Sequence, residues 1–562
     1  MKFKDIPYER VTYEDIEKKY RQLIQEFKEA EDGAACMEVV KKRYEIYADM
    51  TSMDICYLRH DMDVNDAFYK EEQAYYDEIG PGIADLSNQF DRLMLDSPYR
   101  DYLEQIIGHQ AFAIMESAQQ AYNDSLIELA QEENNLLSRH NHLFSTIMVD
   151  WNGGKVKSSL MTSETESKDR NIRKQAGFAV SSAWDKKREE LEDIYDKLVK
   201  NRDEQAGKTG YKNFVELSYF RMNRIGYDVV DVSSFREQVK KHLIPLLMEI
   251  EEKRRKRLGL DRLYSYDKRI YFQEGNPMPL YDTEGCLEAT RKMYTDMSSE
   301  TAEFIGFLLD NEFYDVEIRD GKRSGGYMMP LEKYHAPFIM ANFDGTTENA
   351  YIMCHEGGHA FQTYLKRNEK IREKTWFTPE TAETHAMAME FFAWPYMEQF
   401  FGERAGDYRI MHLENALSLI ARECELDEFQ QYVYENPKMS KSERNALWAK
   451  LESEYFPSND YDGDELLEQG CGWQRIQHIF QWPFYAIDYA LAQVCALEYL
   501  QMMKEDRKSA WQSYLIFCRN TGTEDFKTLV KHAGLDNPFE EGTIQKLVIW
   551  LRDNTDKLLL TF

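Results

Sequence analysis

Apolar residues recur at three- and four-residue spacing along most of this 562-residue chain, the pattern of helices that each bury one face. In the first part it predicts helices over residues 14–30, 37–50, 67–79, 101–114 and 119–137, with breakers such as Gly80-Pro81-Gly82 between them. Residues 145–163 depart from this pattern. There Ile147 to Trp151 and Lys155 to Lys157 flank Asn152-Gly153-Gly154, which predicts a hairpin, because Asn-Gly suits a tight turn between two strands. A long charged helix follows over 168–205, ending near Gly207. The helical period continues to Arg257, lapses over 266–279 and resumes over 283–309. Between Phe313 and Gly345 it gives way to two strands, 316–318 and 338–342, separated by a glycine-bearing loop. Beyond them the chain reads as mostly helical to its end.

One of these helices carries polar residues that an apolar helix cannot bury alone. His355-Glu356-Gly357-Gly358-His359 sits between Ala350-Tyr351-Ile352-Met353-Cys354 and Ala360-Phe361. Two imidazoles and a carboxylate in such surroundings must find partners or face an unfavourable desolvation. A metal ion satisfies all three. Residues four apart lie one above the other, so His355 and His359 reach one ion, and Glu356 falls beside them to hold a water as general base. This is the HExxH arrangement of zinc peptidases.

A catalytic zinc needs a third protein ligand. The longer HExxHxxGxxH pattern is absent: Gln362 stands where its Gly would be, and Leu365 where its last His would be. A carboxylate on a later helix is therefore expected. The helix starting at Thr378-Pro379 presents Glu383, Met387, Glu390 and Trp394 on one stripe. Glu383 is predicted as the ligand and Glu390 as its supporting partner. Glu380, nearer the helix start, compensates the helix dipole. His385 is the rival ligand, its alternative role being a hydrogen-bonded core histidine.

Composition narrows the function classes. A formal net charge of −30 argues against a nucleic-acid or anionic-membrane partner held by a basic surface. Eight scattered cysteines with no CxxC pair match a reduced inventory and not a disulfide framework. The first ten residues lack the apolar core of a signal peptide, and no apolar run is long enough to span a bilayer. A soluble, cytoplasmic protein is expected.

Gly321-Lys322-Arg323-Ser324-Gly325-Gly326-Tyr327, then Pro337-Phe338-Ile339-Met340-Ala341-Asn342-Phe343-Asp344-Gly345-Thr346, then the HExxH motif, resemble oligoendopeptidase F of the thimet oligopeptidase family of zinc peptidases. Ala382-Glu383 followed by Glu390 resembles that family's third-ligand helix. Gln205-Ala206-Gly207-Lys208-Thr209-Gly210-Tyr211 resembles the start of its catalytic region. The short length is similar to its compact bacterial members, the Pz-peptidases among them. The resemblance implies a mainly α fold: a two-lobed helical shell around a deep substrate channel, with a small β-sheet next to the HExxH helix and one Zn2+ at the channel floor. It divides the chain into an N-terminal helical region, 1–200, and a catalytic zinc-peptidase domain, 201–562. Short peptides are the implied substrates.

The stretch from His478 to Tyr489 resembles the family's C-terminal run of one His followed by tyrosines. By that resemblance Tyr489 binds the oxyanion, with Tyr485 and His478 as companions; aromatic core packing is the alternative. The strand 338–342, with Ala341 in it, is expected to offer an edge that pairs with the peptide backbone. Gly325 and Gly326 would let main chain approach closely, or simply make a turn, and Tyr327 would hydrogen-bond the peptide. The expected function is a zinc-dependent endopeptidase acting on internal bonds of short oligopeptides. The alternatives are a carboxypeptidase or dipeptidyl carboxypeptidase on the same scaffold, or a catalytically silent peptide-binding shell. An intact Glu356 argues against the silent shell.

Overall fold

Helices begin where capping side chains permit. Thr12, Asp32, Asp66 and Asp169 each accept a hydrogen bond from the backbone of the first turn that follows. The computed structural model describes residues 1–122 and 124–558, and they are overwhelmingly helical with five short strands. The mainly α fold class is as expected. No described helix is long and apolar enough to cross a membrane, and all eight cysteines are buried and unpaired.

Several boundaries differ from the sequence pattern. The helix Ala67–Leu95 runs straight through Gly80-Pro81-Gly82. Gly82 lies against the ring of Tyr13, where an added Cβ would stand 2.7 Å from Cε2, so packing on the helix Tyr13–Glu29 holds together what Pro81 would break. The predicted helix 101–114 is two, Arg100–Ile107 and His109–Ala121, divided where Gly108 takes φ +109°. The charged helix also divides, into Arg170–Asp185 and Arg188–Lys208. The predicted helix 119–137 crosses residue 123, and the predicted helical end takes in 559–562; these positions lie outside the described residues.

The hairpin forms as read. β1 (Met148–Trp151) and β2 (Gly154–Lys157) pair around Asn152 and Gly153, whose φ values of +50° and +79° fit a tight turn. A second sheet holds β3 (Tyr314–Glu317), β4 (Tyr327–Leu331) and β5 (Ala336–Phe343) in the order β3-β5-β4. β5 pairs parallel to β3 and antiparallel to β4. Being central, it is buried along nearly its whole length. This corrects one expectation: the strand containing Ala341 has both edges occupied. The outer strands are β3 and β4, and β4 tolerates Pro330 because an edge strand can forgo a donor.

Three apolar clusters organise the helices. One gathers the N-terminal helices from Ile16 to Met115. A second joins residues between Leu136 and Leu217 to others between Leu426 and Ala486. The third and largest surrounds the second sheet and the helices Glu348–Lys366, Pro379–Phe392 and Ala486–Asn520. Two glycines set the spacing there. A Cβ on Gly357 would stand 2.1 Å from the Tyr294 hydroxyl, and one on Gly358 would stand 2.6 Å from both Ala386 Cα and the His385 carbonyl oxygen. The helix Glu348–Lys366 thus meets its neighbour backbone to backbone, which brings Glu383 under the two histidines.

Gly358→Ala is expected to lower the melting temperature, because overpacking at about 1–3 kcal/mol outweighs the gain in helix propensity. Gly306→Ala, in the interior of the helix Ser299–Asp310 with nothing within 4 Å of an added Cβ, is expected to stabilise by about 0.5–1 kcal/mol. Thermal denaturation of the two variants checks the contrast; a G358A protein as stable as wild type would contradict it.

Candidate active site

The helix Glu348–Lys366 carries His355, Glu356 and His359, and the helix Pro379–Phe392 carries Glu383 and Glu390. Glu383 Oε2 lies 3.5 Å from His355 Nε2 and 3.8 Å from His359 Nε2. It is buried and accepts no hydrogen bond. Donor atoms of His355, His359 and Glu383 all lie within 4.8 Å of one another. These spacings are long for hydrogen bonds. They suit ligands of one tetrahedral ion, which at bond lengths of 2.0–2.2 Å stand about 3.4 Å apart. The residues therefore fit a metal: two imidazoles and an orphaned carboxylate oxygen face a common centre.

Partners behind the histidines fix their orientation. Glu390 Oε1 lies 2.7 Å from His355 Nδ1, and Glu390 Oε2 lies 2.7 Å from His412 Nε2. Trp394 Nε1 donates to His412 Nδ1 at 2.8 Å. An indole N–H only donates, so His412 Nδ1 accepts and its Nε2–H donates to Glu390. Glu390 in turn accepts from His355 Nδ1–H, which leaves Nε2 facing the centre. Burial pushes His359 down to about 4 and so keeps its ring neutral. Burial also opposes charge on His355, but the carboxylates of Glu383 and Glu390 outweigh it.

A cleft of about 430 Å³ opens over this centre, lined by Gly326, Tyr327, Met328, His355, Glu356 and His359 among others. Burial pushes the Glu356 carboxyl up to about 7, against the pull of His355 and of the Met328 backbone amide. Tyr485 and Tyr489 line the same cleft. The Tyr485 hydroxyl donates to Glu383 Oε1 at 2.7 Å. His478 stands beside the tyrosines, its ring 6.0 Å from that of Tyr489 and 6.2 Å from that of Tyr485.

Other predicted residues are placed differently. Ala341 is fully buried in β5 and away from the cleft. Gly325 takes φ +93°, and its carbonyl accepts from Asn342 Nδ2 at 2.8 Å, so it makes a turn. Gly326 lines the cleft and lacks room for a side chain: a Cβ would stand 2.3 Å from Ile352 Cδ1. Tyr327 also lines the cleft, and its hydroxyl donates to Asp61 Oδ2 at 2.8 Å. His385 is a core histidine, its Nε2 2.8 Å from Thr521 Oγ1. Glu380 is wholly buried, 3.6 Å from Arg224, and so does more than offset a helix dipole at the surface. His412, which the sequence reading missed, sits 22 residues beyond Glu390 on the helix Ala405–Glu435. Its only signal is an imidazole among apolar neighbours.

Two family models match this chain: the Peptidase M3 N-terminal domain over residues 3–122 and Peptidase family M3 over residues 163–549. The chain is 25% identical over 377 residues to Oligopeptidase PepF of Bacillus subtilis (strain 168), covering 66% of this chain and 55% of that protein. It is 22% identical over 418 residues to an oligoendopeptidase F homolog of Borreliella burgdorferi, covering 70% and 69%. It thus spans little more than half the length of the first of these relatives. Two solved structures are similar over nearly their whole length. Pz peptidase A, solved with an inhibitor, has 39% identity and a TM-score of 0.94, covering 99% of both chains. A protein described as an oligoendopeptidase F from Bacillus anthracis str. Ames has 36% identity and a TM-score of 0.90, covering 99% of this chain and 98% of that one. The match from 163 to 549 takes in every residue that converges on His355, His359 and Glu383, and on that ground the chain belongs to peptidase family M3.

Proposed function

We propose that this chain is a cytoplasmic, zinc-dependent endopeptidase that hydrolyses internal bonds of short oligopeptides. The observation that carries the reading is the convergence of His355, His359 and Glu383 beside Glu356 at the floor of a cleft. In it His355, His359 and Glu383 hold one zinc ion, which when bound supplies Lewis acidity to the scissile carbonyl and to the attacking water. Glu356 takes a proton from that water and passes it to the leaving amine. Burial keeps the Tyr485 and Tyr489 phenols protonated, so both remain donors. Tyr489 donates to the developing oxyanion. Tyr485 holds Glu383 by one oxygen and leaves the other to the ion. His478 backs the two tyrosines, and burial favours its neutral form.

β4 supplies the edge for the peptide backbone. Pro330 pairs with Pro337, and two prolines cannot exchange hydrogen bonds. Ile339, opposite Met328, donates instead to Phe313, on the β3 side. Met328 and Pro330 therefore turn their main-chain groups outward to the cleft, where an extended peptide can add as a strand. Recognition through backbone groups tolerates many sequences.

Endopeptidase action is favoured over carboxypeptidase action by the cations of the cleft, each of which is already engaged. Lys366 donates to the Arg519 and Thr521 carbonyls, Arg367 pairs with Glu303, and Arg372 pairs with Glu332. Among the described residues lining the cleft, no Lys or Arg stands without a partner in the protein.

Mass spectrometry of products from a mixed peptide library, with and without a chelator, tests the reading. Peptides blocked at both ends are expected to be cut internally, and the chelator to abolish cleavage; cuts confined to free C-termini would favour the carboxypeptidase. Glu356→Gln is expected to lower kcat/KM by roughly 10²–10⁴-fold at unchanged zinc content. Full activity in that variant would remove Glu356 as the base. His412→Leu is expected to weaken zinc binding by about 10–100-fold, because His355 loses its orienting chain. Zinc titration showing wild-type affinity would sink that part of the account.

A further inference from the structure

The turn that delivers Tyr485 to Glu383 breaks a local rule. Tyr485 N–H donates to the Trp482 carbonyl at 3.2 Å, closing a turn over Trp482-Pro483-Phe484-Tyr485. Proline in its second position and a positive φ in its third are the marks of a type II turn, whose third position favours glycine. Here it holds Phe484 at φ +66°, a conformation costly for a bulky side chain. Such a residue persists only where its surroundings over-determine it.

Two buried side chains do so. Arg224 Nη2 donates to the Phe484 carbonyl at 2.7 Å, and the Phe484 amide donates to Gln430 Oε1 at 3.0 Å. Both backbone groups of the strained residue are thus clamped. Arg224 also pairs with Asp488, on the first turn of the helix that carries Tyr489, and lies 3.6 Å from Glu380, one turn before Glu383. The turn falls where the chain passes from one apolar cluster to another: Phe484 and Ala486 belong to the second, Ile487 to the largest.

We propose that Arg224 and Gln430 are positioning residues for the reaction: by clamping Phe484 in the Gly-like corner of this turn, they set Tyr485 against Glu383 and aim Tyr489 into the cleft. This rests on the peptidase reading above for its catalytic consequence, but not for its geometry. Neither residue is among those lining the cleft. A core helix without the clamp would let Phe484 relax to negative φ, rotating the tyrosines away from the ligand.

The test is a pair of double-mutant cycles. Arg224→Lys keeps a charge for Asp488 and Glu380 but loses the fork that also reaches Phe484. Gln430→Leu removes the other clamp and leaves the ion pairs alone. Each is expected to lower kcat by roughly 10–100-fold, the scale of a misplacement of about 1 Å, with KM within about threefold and zinc content unchanged. In a background lacking both hydroxyls, Tyr485→Phe with Tyr489→Phe, the same substitutions are expected to cost less than about twofold more, because coupled residues are not additive. Losses that multiply in full in that background, or a protein lacking both hydroxyls with wild-type kcat, would overturn the proposal. Crystal structures of both variants give a readout independent of turnover. The proposal expects Phe484 at negative φ and the Tyr485 hydroxyl off Glu383, with the rest of the fold superimposable. An unchanged turn in both would refute it, whereas a wild-type protein that cleaves no peptide would count against the peptidase reading alone.

Discussion

The approach of two helix backbones at Gly358 and Ala386 is the constraint on which the site depends. A side chain at Gly358 would hold the ligand-bearing helix off, and Glu383 would not reach the centre between His355 and His359. Two adjacent glycines weaken a helix by about 1 kcal/mol each relative to alanine. Their place inside the metal-binding motif is explained by the space they leave: Gly357 admits the Tyr294 hydroxyl on one side, and Gly358 admits a neighbouring backbone on the other.

Around that contact the protein solves a problem of buried charge. His355, Glu356, His359, Glu383 and Glu390 stand within or against a large apolar cluster. Glu383 and Glu390 are given partners that do not compete for the centre. Glu390 is shared between His355 and His412, and Glu383 receives one hydroxyl and keeps one oxygen unoccupied. A buried acceptor without a donor is costly, so the orphaned Glu383 oxygen argues for a cation as the group that completes the site.

Much of this was legible in the sequence. HExxH could be read because ligand spacing on a helix is local, and Glu383 and Glu390 because carboxylates on an apolar stripe need a reason to be there. The mainly helical fold and the β1–β2 hairpin follow from local period and turn chemistry. What was not legible depends on distant parts of the chain. β4 lacks clean alternation and contains Pro330, so only its pairing with β5 reveals a strand; that same pairing moved the substrate edge away from Ala341. His412 is one histidine in a 31-residue helix, and its role exists only through Glu390 and Trp394. The bond from Tyr485 to Glu383 spans 102 residues. The continuous helix through Pro81 shows the same limit from the other side, since packing on Tyr13 overrides a local breaker.

The central claim is that three side chains from two packed helices share one ion. Anomalous diffraction at the zinc edge from crystals of the zinc-loaded protein tests it most directly. The account predicts a single peak within about 2.0–2.2 Å of His355 Nε2, His359 Nε2 and a carboxylate oxygen of Glu383. A peak bound through His385, or one that leaves Glu383 outside its coordination shell, would contradict it.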